Sequence, residues 1–100
     1  MNKKPVLIII HKTAGNFAEN KDVARKIRLE NIVPALENNQ EVILDFQKVE
    51  STTQSFIHAL ISALFRNYGN DVVDRVTFKN CNETVKKLIS IVVEYMQLSA

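Results

Sequence analysis

The chain carries one thiol, Cys81, and two imidazoles, His11 and His58. A cysteine with a histidine supplies a nucleophile and a base. Covalent catalysis also needs a group to orient the base and donors for an oxyanion. No third orienting group or glycine-rich turn accompanies Cys81 and His11, so no catalytic residue is assigned and the chain is expected not to be an enzyme. Cys81 also reads as a small buried residue beside a turn, and His11 as a strand-end residue making one hydrogen bond. One cysteine and two histidines fall short of a metal site built from these ligands, and neither metal nor cofactor is expected.

Two other groupings suit binding. Ser55, His58, Ser62 and Arg66 recur at spacings of three and four, which puts them on one stripe of a helix that Ser51, Thr53 and Gln54 lead into. Backbone N–H groups at a helix start favour anions, so a phosphate on Ser55 would be well placed there. The stripe is a candidate surface for a protein partner, with Ser55 as its switch. The plainer alternatives are a solvated helix face and a second cap at Ser55. The other grouping, His11, Lys12, Lys48 and Asn80, follows the ends of three predicted strands, where parallel sheets bind ligands. That edge suits a small anion or a nucleotide, although no Walker-type loop or dinucleotide fingerprint supports it.

These positions depend on an α/β chain whose predicted order is βαβαβα. The β-branched run VLIII after Pro5 reads as a buried strand, and VILDF from Val42 to Phe46 repeats its pattern as the central one. Arg75 to Lys79 is the third strand. Between the first two, His11 to Asn20 is polar, and Asn20 or Asp22 caps a helix that Pro34 should kink or end. Ser51, Thr52 or Thr53 caps a helix from Gln54 to Tyr68, stopped at Gly69, and Asn82 caps the last one. Asp45 should be partly buried, its carboxylate accepting N–H bonds from the following turn.

The expected sheet is small and mostly parallel, of three to four strands packed with helices. Right-handed crossovers put the simplest set of helices on one face. The strands look apolar on both faces, so the other face calls for a crossing helix, a fourth strand or a second molecule. A homo-oligomer or a docked protein partner is expected on that ground.

The stretch VILDFQKVESTTQSF, preceded by RKIRLENIVPAL and followed by an Asn-rich strand-to-helix turn, resembles the STAS-like family of small bacterial and phage-associated domains of unknown function. Its signature stands here as Leu44, Asp45, Phe46, Val49, Glu50, Ser51, Thr53, Gln54, Ser55 and Phe56. Where many relatives carry an acidic pair after that phenylalanine, this chain has Ile57, His58 and Ala59. The family is similar in turn to STAS anti-sigma-factor antagonists. The resemblance implies a non-enzymatic regulatory module that binds a partner kinase or regulator, with Ser55 where those switches are phosphorylated. Thr53 and Phe56 replace the aspartate and glycine of the STAS motif.

Composition narrows the partners. One hundred residues make a single domain over 1–100, and 46% hydrophobic with 24% charged residues is ordinary for a soluble chain. Thirteen basic and eleven acidic residues are scattered without a basic run, so no nucleic-acid partner is expected. The apolar run near the amino terminus is too short for a membrane span, and a lone cysteine fits a reducing compartment. A cytoplasmic protein without membrane contact is the expectation.

Overall fold

The computed structural model describes residues 3–99, with side chains through Leu98. The run after Pro5 forms β1 (Val6–Ile9), followed by a single helical turn α1 (His11–Ala14) and a two-residue strand β2 (Phe17–Ala18). Asn20 then caps α2 (Lys21–Ile27), its side-chain oxygen accepting from the N–H groups of Asp22 at 2.8 Å and Val23 at 3.4 Å. A wide π turn over Arg28–Ile32 leads into α3 (Val33–Glu37). Strand β3 (Val42–Asp45) precedes a second two-residue strand, β4 (Ser51–Thr52), and the long helix α4 (Gln54–Tyr68). A short helix α5 (Asp71–Arg75), strand β5 (Val76–Lys79) and helix α6 (Glu83–Ser99) complete the chain.

The sheet has the order β1-β3-β5, all parallel, with Val6 beside Val42 and Val42 beside Val76. The central position expected for Val42 to Asp45 is observed, and α/β architecture holds throughout. Two expectations need correction. The polar segment from His11 to Asn20 is not a plain loop, because β2 pairs in parallel with β4 as a separate two-stranded sheet. Ser51 and Thr52 consequently lie in a strand, and Thr53 alone caps α4, accepting from the Phe56 N–H at 3.0 Å.

Pro34 does not end its helix, but the α-helical run is broken just before it by the π turn. Proline has no N–H for the carbonyl four residues back, and its ring crowds that carbonyl. The turn before it is widened instead, with the Val33 N–H bonded to the Arg28 carbonyl five residues earlier. The helix resumes as α3.

Alternation along the strands divides the two faces. Ile8, Ile10, Val42, Leu44, Phe46 and Val76 are buried beneath the helices, continuous with Phe56, Ile57, Leu60, Ile61 and Leu64 of α4. The opposite face bears Leu7, Ile43 and Thr77 in one row and Ile9, Asp45 and Lys79 in the next. Leu7 is 53% exposed there, and Thr77 and Lys79 are exposed. No helix or strand among the described residues packs over that face, as the topology required, although Asp45 is buried on it. The face is smaller and more polar than the sequence suggested. Three strands of four residues project to roughly 190 Å² at strand spacings of about 4.8 Å and rises of about 3.3 Å. Ordinary monomers carry apolar patches of about 300–600 Å², so the open face does not by itself require a second molecule.

Candidate functional site

The start of α4 is set by the β2–β4 pair. Thr52 Oγ1 donates to the Ala18 carbonyl at 2.7 Å, and the Thr53 N–H reaches the same oxygen at 3.2 Å. That double attachment fixes where α4 begins relative to α2, which starts only three residues after Ala18. Both strands run in the same direction, so both helices leave the small sheet with their first turns side by side, and α2 packs along α4.

Lys21, Gln54, Ser55, His58 and Ala59 line an open depression of about 520 Å³ between those helix starts. Thr53 is the cap, which leaves the exposed Ser55 hydroxyl outside the capping bond. No acidic residue occupies the first turn of α4, whereas Lys21 brings a positive charge from α2. Farther along, Arg28 reaches from the π turn to donate to the Ala59 carbonyl at 2.6 Å. Lys21 was not legible as a neighbour of Ser55 because 33 residues of chain separate them.

Residues 23–86 match the family described as a STAS-like domain of unknown function, well over half of the chain. The chain belongs to that family. Comparison with curated proteins and with solved structures returned no match.

In this STAS-like domain the polar stripe of α4 is interrupted. Ser55, His58 and Arg66 are exposed, but Ser62 is 2% exposed and buried within the helix layer. Ser62 therefore drops out of the proposed contact surface. Gln54 is exposed, and Ser51 and Thr53 are half-buried at the entry to the helix.

The residues expected to form a ligand edge are not gathered into one site. His11 is hydrogen-bonded through Nε2 to Asn16 Oδ1 at 2.6 Å. Lys12 lines a depression with Thr13, Ile27 and Asn31 beside β1, while Asn80 lines a different one with Phe78, Cys81 and Lys86. Lys48 is exposed in a left-handed turn at φ 70°. The side-chain amide of Asn80 donates to Asp45 Oδ1, 3.0 Å away, and the Asp45 carboxylate makes that edge a poorer place for an anion. Asp45 is buried and accepts the Gln47 N–H as well, at 2.9 Å, as expected for it.

Cys81 is half-buried at the same edge. Burial and the nearby Asp45 carboxylate push its thiol up from the ordinary 9.0, the reverse of what a nucleophile needs. Among the described residues no cluster of three or more His, Cys, Asp or Glu side chains is arranged to hold a metal, and no helix is long and apolar enough to cross a membrane.

Proposed function

We propose that this STAS-like chain is a non-enzymatic regulatory module that binds a protein partner through the start of α4, and that phosphorylation of Ser55 weakens the contact. The observation that carries this reading is the separation of roles at the helix start. Thr53 does the capping, so the exposed Ser55 hydroxyl is free to be modified without loss of the cap. A phosphate there would add charge close to −2, beside Lys21 and the backbone N–H groups at the start of α4. It would order that depression around itself and change the charge presented by Gln54, His58 and Arg66. The raised thiol of Cys81 weighs against its use as a nucleophile.

Affinity capture from the native host tests this with wild-type, Ser55→Ala and Ser55→Asp baits, together with the intact mass of the chain isolated from that host. A partner held by the first two baits and lost by Ser55→Asp supports the switch, as does the mass of one phosphoryl group at Ser55. Identical retention by all three baits, with Ser55 unmodified, overturns it.

A further inference from the structure

The last helix has two apolar sides. Val85, Ile89, Val92 and Met96 of α6 are buried in the core. On another side Ile91 is 41% exposed, Tyr95 62% and Leu98 80%, with Leu88 half-buried in line with them. Leu88, Ile91, Tyr95 and Leu98 succeed one another at spacings of three, four and three. That is the repeat of a helix packing lengthwise against a second helix. A solvated helix face carries charged and polar residues instead.

Charge flanks this seam on one side only. At 100° per residue, Lys87 and Glu94 both fall about 70° from the centre of the seam, while the buried side lies about 110° the other way. Both are exposed, seven residues apart, and opposite in sign. A parallel pairing about a two-fold carries the two charged flanks to opposite sides of the seam, where Lys87 and Glu94 meet no complement on the partner. An antiparallel pairing sets each opposite its complement.

We propose that α6 packs antiparallel against α6 of a second copy of this chain, about a two-fold axis at Ile91. In that register Ile91 meets the partner's Ile91, and Leu88 lies against the partner's Tyr95. Leu98 reaches the level of the partner's Thr84. Lys87 faces the partner's Glu94, and symmetry repeats every contact once. The charge pairs select both the direction and the register. The ten steps from Leu88 to Leu98 span about 15 Å, so the contact belongs to the small class of interfaces and the dimer dissociates on dilution. This surface lies apart from the Ser55 depression, and its failure would leave the proposal for Ser55 standing.

Light scattering over a concentration range measures the association of the wild-type chain, Lys87→Glu, Glu94→Lys and the double reversal. The wild-type mass is expected to rise towards that of two chains. Each single reversal places like charges at both symmetric contacts and should weaken the dimer by roughly tenfold, and the double reversal should restore it. Independently, Ile91→Cys in a Cys81→Ser background should close a disulfide across the axis under mild oxidation. A chain that stays monomeric up to about 1 mM overturns the proposal. So does a dimer indifferent to the single reversals that Ile91→Cys fails to trap.

Discussion

The side-chain amide of Asn80 donates to the carboxylate of Asp45 at 3.0 Å and so ties together the carboxyl ends of β5 and β3. Asn80 does this from a left-handed backbone conformation, φ 59°, which asparagine adopts more readily than most residues. The amide, then the Gln47 N–H, hold the Asp45 carboxyl below its ordinary 3.8, against the opposing effect of burial and with a smaller contribution from Lys79. A carboxylate lowered in the folded state stabilises the fold fully above that ordinary value, and the contribution is lost as pH falls through the lowered one.

Asn80→Ala is therefore expected to cost about 1–2 kcal/mol at neutral pH. The difference from wild type should narrow as the medium is taken below 3.8, because the variant has less of this contribution to lose. Urea unfolding at a series of pH values measures it. A difference that does not change with pH would detach the effect from Asp45.

The division of work at the start of α4 separates two neighbouring hydroxyls. Thr53→Ala removes the cap and should destabilise by about 1 kcal/mol. Ser55→Ala should stay within about 0.5 kcal/mol of wild type. Equal losses in thermal unfolding would make Ser55 a cap and weaken the case for a switch.

Covered and open faces of the sheet should respond differently to the same truncation. Leu44→Ala empties a fully buried position on the central strand and should cost about 2–5 kcal/mol. Leu7→Ala, on the open face of an edge strand, should cost less than about 1 kcal/mol. Denaturant midpoints decide between this arrangement and one in which a second molecule covers Leu7, where the two losses would converge.

Cys81 should alkylate slowly at pH 7, with the rate still climbing above pH 9.0, since burial first and the Asp45 charge second disfavour the thiolate. Asp45→Asn should bring the thiol back towards its ordinary value. Rapid reaction at neutral pH would reopen a nucleophilic role for Cys81.

The legible part of this fold is its local part. Asn20 and Thr53 cap helices and Gly69 ends one because a cap needs only a short side chain and two or three neighbouring N–H groups, all within a few residues. The Asn82 side chain likewise accepts the Val85 N–H at 2.9 Å. The β-branched runs at Val6 and Val42 are strands for an equally local reason, and the family resemblance carried by Leu44 to Phe56 rests on contiguous residues.

What the sequence by itself determined was therefore the order of the three main strands and of the principal helices between them, the caps, and the membership of a STAS-like family, while the two-residue strands β2 and β4 and the short helix α5 escaped it. Tertiary structure alone decided which stretch lies beside which. It joined Ala18 to Thr52, set Lys21 next to Ser55, enclosed Ser62 between helices, and turned Asn80 towards Asp45. None of these follows from helical or strand period, because each depends on packing between segments that meet only when the crossovers close around one core, where close-packed layers leave each side chain one set of neighbours.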